Sequence, residues 1–107
     1  MQVPIEIVRA NAPAASALLA TMANPARLQI LCLISDGERT VSELCDAVGL
    51  SQSALSQHLA ILRKAGIVQA RREAQFVRYS LASREATALL ETLCSLFAGA
   101  DQHGASD

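Results

Sequence analysis

Two sets of side chains in this sequence could do chemistry. Between Leu50 and Gly66 the chain reads LSQSALSQHLAILRKAG, with Ser or Gln at 51, 52, 53, 56 and 57 and leucines at 55, 59 and 62. Helical periodicity puts the leucines on one side and Gln52, Ser53, Ser56 and Gln57 on another. That polar side stays uncharged until Arg63, unlike the Glu/Lys face of an ordinary solvated helix. Gln can offer adenine a donor and an acceptor together, and Ser can serve several bases or a phosphate. The second set is thiol: Cys32, Cys45 and Cys94. Odd in number and widely separated, they do not read as a secreted disulfide framework, and a reducing cytoplasm is the simpler home.

Charge is distributed to match the first set. From Ser51 to Leu81 there are five basic residues, Arg63, Lys64, Arg71, Arg72 and Arg78, against Glu73 alone, a net +4. The remaining segments carry four basic and nine acidic residues, a net −5, so the overall −1 hides a basic end on an acidic body. Such asymmetry points to a polyanionic partner, with an incidental surface cluster as the plain alternative.

The elements that must position these residues can be read in order. The 107 residues, 51% hydrophobic with only three aromatics, suit one domain with an aliphatic core. A first helix is expected over about Pro13 to Ala23, with Asn11 or Ala12 near its cap. In NPARLQILCLI, Asn24 is an N-cap and Pro25 a first helical residue, so a second helix should reach about Ile34. It is apolar almost all round and should be central. Thr40 and Glu43 form a capping box for a short third helix to about Val48, which Gly49 ends in a left-handed conformation. Ser51 caps a fourth helix and Gly66 closes it. Two short helices separated by GLS make a helix-turn-helix pattern.

After Gly66 the periodicity changes. IVQARREAQFVRYSLA has β-branched and aromatic residues flanking Glu73, Ala74 and Gln75 and reads as a hairpin, with Arg71, Arg72 and Arg78 beside its tip. Ser83 should cap a last helix from Arg84 to about Ala98, with Ala86, Leu89, Leu90, Leu93, Leu96 and Phe97 as its apolar stripe. The expected order is ααααββα, mainly α with a small β-hairpin. Residues 11–99 form the expected domain, with residues 1–10 as a flexible arm and residues 100–107 as a flexible tail.

The helix starting at Ser51 therefore reads as a DNA-recognition helix. Its first turns present Gln52, Ser53, Ser56 and Gln57 to bases, while Arg63, Lys64 and the hairpin arginines suit phosphates and the minor groove. The bland alternative is a polar face that merely dissolves the domain. His58 sits at the rim of the apolar face and reads as a packing or phosphate-contacting residue in preference to a metal ligand, since its one companion is His103 near the C-terminus.

From about Ala17 to Ala98 the sequence resembles the ArsR/SmtB family of bacterial winged-helix repressors, in its HlyU/BigR/NolR-like branch. MANPARLQILCLI, LSQSALSQHLAILRKAGIV and RREAQFVRYSL carry the resemblance, with order and spacing kept across three elements. It implies a winged helix-turn-helix that dimerises with itself through its first and last helices and binds a near-palindromic duplex operator. It also implies base readers at Gln52, Ser53, Ser56 and Gln57, and a wing bearing Arg71, Arg72 and Arg78.

The resemblance frames the question of a sensed signal. The family's soft-metal site resembles ELCxCDL; here ELCDAVG keeps Cys45 but has Ala47 at the second cysteine. Its zinc-type site needs Asp and His ligands on the last helix, and none occurs between Ser83 and Gly99. A tight transition-metal site needs about three or four convergent ligands, so no metal and no cofactor is expected, and Cys45 reads as a small packing residue. In the resembling branch, a cysteine in the second helix and one near the end of the last form a thiol sensor for oxidants or sulfane sulfur. Cys32 matches the first; the second is expected at Ala98, one turn beyond Cys94, or roughly 6 Å along the axis. A direct disulfide needs Cα atoms within about 7 Å. A redox or persulfide-sensing pair, two inert core cysteines, and a thiolate site for arsenite or another soft metal all remain open at this point.

Other classes are less well served. The sequence has no phosphate-cradling glycine loop, no Cys-x-x-Cys and no Ser/His/Asp arrangement, so catalysis is not expected. A winged helix kept only for protein interaction is the other competitor. No stretch approaches the roughly 18–20 apolar residues of a membrane span, and the N-terminus lacks the pattern of a signal peptide.

Overall fold

The computed structural model describes residues 3–106, with side chains for 3–98. Five helices and three strands follow in the order α1 (Ile5–Met22), α2 (Pro25–Leu33), β1 (Arg39–Thr40), α3 (Val41–Val48), α4 (Gln52–Lys64), β2 (Val68–Glu73), β3 (Phe76–Leu81) and α5 (Arg84–Ser106). The helix starts expected from capping chemistry form as read. The Asn24 side chain accepts from the backbone N–H of Ala26 and Arg27, with Pro25 next to it. Thr40 and Glu43 close a reciprocal capping box, and Ser51 and Ser83 accept from Ala54 and Ala86.

Gly49 ends α3 at φ 78°. Gly66, at φ 76°, ends α4 with a paired closure: its own N–H reaches the Arg63 carbonyl at 3.0 Å, and the Ile67 N–H reaches that of Leu62 at 3.0 Å. That is the Schellman arrangement, which a residue without a Cβ adopts at least cost.

The core is aliphatic. Ile30, Leu31 and Ile34 from the α2 region, Leu44 from α3 and Leu55, Leu59 and Leu62 from α4 are buried together with Met22, Ile67, Val68, Ala86 and Leu90. No polar or charged residue is buried among the described residues. α2 is central as expected on that side, but Cys32 on its other side is exposed. The hairpin strands β2 and β3 pair antiparallel from Val68 opposite Leu81 to Glu73 opposite Phe76, with Ala74 and Gln75 in the turn. Ala74 takes φ 56°, a left-handed conformation that costs an L-residue about 1–2 kcal/mol.

Two boundaries and one added element differ from the sequence reading. α1 begins at Ile5, not near Pro13, because Pro4 occupies the cap and Pro13 lies inside the helix. Proline marks helix starts well but is not confined to them; here only the bond from residue 13 to the Arg9 carbonyl is lost. Residues 5–10, read as part of an arm, are thus helical. α5 continues past Ala98 to Ser106. Gly99 and Gly104 weaken that turn by about 1 kcal/mol each relative to Ala, but the Ala, Asp, Gln and Ser residues around them include no proline to stop it. The side chain of His103 lies outside the described residues. Lastly, β1 adds a third strand, pairing Arg39 with Tyr79 and Thr40 with Arg78, so the sheet order is β1-β3-β2 and the element order ααβααββα. A two-residue strand has no periodicity to detect.

Candidate nucleic-acid interface

α3, the turn at Gly49 and α4 bring the Ser/Gln face to the surface. Leu55, Leu59 and Leu62 are driven into the core on one side of α4, which turns Gln52, Ser53, Ser56 and Gln57 outward, all exposed. Among the described residues none of these four makes a side-chain hydrogen bond, whereas Ser51, also exposed, spends its hydroxyl on the N-cap. The hairpin tip comes back towards the start of α4. Gln52 shares a crevice of about 450 Å³ with Thr40, Val41, Ser42, Phe76 and Val77. Arg63 and Lys64 occupy the last turn of α4, exposed, where the negative end of the helix dipole favours cations.

The wing arginines are not alike. Arg71 is held by a bidentate pair, Nε to Glu38 Oε2 at 2.9 Å and Nη2 to Glu38 Oε1 at 2.6 Å. Its Nη2 also lies 3.7 Å from Glu73 Oε1. Arg78 donates to the same Glu73 oxygen at 2.9 Å, with its guanidinium carbon 5.9 Å from the centre of the exposed Phe76 ring. Arg72 is exposed and belongs to no ion pair among the described residues, as do Arg63 and Lys64. Hydrogen bonding from Arg71 holds the Glu38 carboxyl below its usual range, and the same bond pushes the Arg71 pKa up. The pair is therefore fully formed above the ordinary carboxylate range, and is lost only as pH falls through the lowered value of Glu38.

His58 is half-buried beside the exposed Ser/Gln face, and its Nδ1 accepts from Arg27 Nε at 3.3 Å. Neither Arg27 nor Glu38 was singled out from sequence. Their partners lie 31 and 33 residues away, and no local spacing signals such pairs.

The thiols divide in two. Cys45 is partly buried against the core between α3 and its neighbours. Cys32 and Cys94 are both free and exposed. The Cys32 thiol is pushed up chiefly by partial burial, then by the charge of Cys94 and a hydrogen bond with it. Cys94, one turn before the expected position, is near enough to influence the Cys32 thiol. Beyond these thiols, Leu93, Leu96 and Phe97 on α5, and Ile5, Val8 and Leu19 on α1, are exposed; Leu96 and Phe97 are each 66% accessible. Among the described residues no group of three His, Cys, Asp or Glu is disposed to hold a metal ion, and no helix is long and apolar enough to cross a membrane.

Known proteins are similar to this chain in sequence and in fold. Residues 24–70 match the profile described as bacterial regulatory protein, arsR family. The chain is 52% identical over 92 residues to the transcriptional activator HlyU of Vibrio cholerae, covering 86% of this chain and 85% of that one. It is 38% identical over 102 residues to the biofilm growth-associated repressor of Agrobacterium fabrum, covering 95% and 87%. The structure of reduced HlyU from Vibrio cholerae superposes with a TM-score of 0.82 at 50% identity, covering 86% of this chain and 97% of that one. A homodimeric winged helix-turn-helix DNA-binding domain from Mycobacterium bovis gives a TM-score of 0.74 at 29% identity, covering 99% and 94%. This chain, a winged helix-turn-helix with HlyU-, BigR- and NolR-like relatives, belongs to the ArsR family of bacterial transcriptional regulators.

Proposed function

We propose that the chain is a homodimeric, sequence-specific DNA-binding regulator whose hold on its operator weakens when Cys32 and Cys94 are linked. The observation that carries the DNA reading is the exposed, uncommitted and uncharged face of Gln52, Ser53, Ser56 and Gln57, flanked by the unpaired cations Arg63, Lys64 and Arg72. Base edges are read by the former and phosphates neutralised by the latter. Ser51 and His58 border the face and contribute phosphate contacts, and Arg71 and Arg78 contribute only as DNA displaces their carboxylates. The exposed apolar residues of α1 and α5 support pairing through those helices. Two-fold pairing sets the recognition helices about 34 Å apart, one DNA turn, which asks for a near-palindromic operator. Such a regulator of the repressor type works in the bacterial cytoplasm.

The influence of Cys94 on the Cys32 thiol supports the switch. Peroxide would take two electrons and two protons from the two thiols, giving a disulfide and two waters. Two sulfane sulfur atoms would instead give a trisulfide and release one hydrogen sulfide. Either link ties α2, which packs against α3 and α4, to α5. Only a difference in free energy between linked and reduced states can lower DNA affinity, and couplings of this kind are typically 5- to 150-fold.

A gel shift on a palindromic duplex, reduced against peroxide- or polysulfide-treated protein, tests both parts. The expected result is tight binding when reduced and at least fivefold weaker binding after treatment. Unchanged binding with both thiols still alkylatable would overturn the switch while leaving the regulator. A second reading, a regulator with inert cysteines, draws on the raised pKa of Cys32, which slows a thiolate nucleophile. Alkylation separates the two: the Cys32 rate should rise with pH along a midpoint above the ordinary thiol range, and Cys94→Ser should lower that midpoint.

A further inference from the structure

Arg27 occupies the first turn of α2, where its backbone N–H is fixed at 3.1 Å by the Asn24 cap. Its guanidinium makes two bonds in opposite directions. One nitrogen donates at 2.8 Å to the carbonyl of Thr21, in the last turn of α1, a turn with no basic residue of its own to satisfy its orphan carbonyls. Nε donates at 3.3 Å to Nδ1 of His58, in the middle of α4. A planar fork can hold both directions at once; an ammonium on a flexible stem has no such fixed geometry.

The bond to His58 also sets the chemistry of the ring. An Nδ1 that accepts is unprotonated, so the neutral imidazole carries its proton on Nε2. Among the described residues Nε2 has no protein partner, and His58 directly follows Gln57 at the edge of the reading face.

We propose that Arg27 is a positioning residue for DNA recognition: it fixes α4 against the end of α1 and holds His58 as an Nε2–H donor to the DNA backbone. This rests on the DNA-binding reading above and adds to it a residue outside the helix-turn-helix. Because α1 is also a pairing helix in that reading, the same fork links the dimer face to the tilt of the reading helix.

Asn and Gln at position 58 separate the two halves of the proposal. His58→Asn keeps an acceptor where Nδ1 stands and drops the outward donor. His58→Gln puts an amide near Nε2 and drops the acceptor for Arg27. Affinities would be measured for a duplex selected by the wild-type chain from a random pool, and for a scrambled duplex of the same composition. Arg27→Lys and His58→Gln should each lower the ratio of selected to scrambled affinity by about tenfold, and the double variant should lower it no further than either alone. His58→Asn should weaken both duplexes alike and keep the ratio. A wild-type ratio retained in Arg27→Lys or in His58→Gln would overturn the proposal, as would losses that multiply in the double variant. Should Arg27→Lys fail a thermal-melt check of folding, the two His58 variants decide alone. Failure of the wild-type chain to enrich any duplex would overturn the DNA reading instead.

Discussion

On α4, Gln52, Ser53, Ser56 and Gln57 stand in solvent with no partner in the described chain, whereas on the adjacent hairpin Arg71 and Arg78 are held by Glu38 and Glu73. The helix keeps its polar groups unengaged, so pairing with a base edge breaks no internal bond. The wing keeps most of its cations neutralised, so a phosphate must compete with a carboxylate that is already in place. Neutral groups that wait can discriminate between bases; cations act on every duplex alike, and partly quenched ones add less of that uniform affinity. The lesson is that counting arginines overstates the wing, and that Arg72 carries more of its field than Arg71 or Arg78.

The contrast can be broken most directly at Gln57. Gln57→Ala should cost about 1–3 kcal/mol of specific binding and leave non-specific binding nearly intact, as competition titrations would show. A uniform loss on all sequences would place Gln57 among the phosphate contacts. Next comes the wing. Arg72→Ala should weaken all sequences alike and flatten the salt dependence by about 0.9 in log–log slope. Arg71→Ala should flatten it by clearly less, and equal slopes would remove the distinction drawn between the two arginines. Glu38→Gln sharpens the same point, since releasing Arg71 should steepen the salt slope relative to wild type. The smallest effect is expected at the turn: Ala74→Gly relieves a left-handed strain of about 1–2 kcal/mol against a chain-entropy loss of about 0.4–1 kcal/mol, a net stabilisation of at most about 1.5 kcal/mol read as a higher melting temperature.

Much of this was legible because its causes are local. Asn24-Pro25, the Thr40–Glu43 box, Ser51 and Ser83 each declare a helix start within four residues, and the leucines at 55, 59 and 62 declare which side of α4 is buried. What escaped had distant causes. Glu38 meets Arg71, Arg27 meets His58 and β1 meets β3 only after the chain has folded back. At α1, local grammar misled, because Pro13 resembles a start and Pro4 is the actual one. At Cys94, one turn before the position the family resemblance implies, the sequence left nearness to Cys32 open, because it depends on how two helices distant in the chain come together.

The closure at Gly66 has a mechanical consequence. Three residues, Ala65 to Ile67, separate the last residue of α4 from the first of β2, and Ile67 and Val68 are both anchored in the core. Helix and ribbon are thereby welded into a single gauge of fixed span. A rotation imposed on one would carry the other, so in the proposed complex helix and ribbon would engage or leave the duplex together.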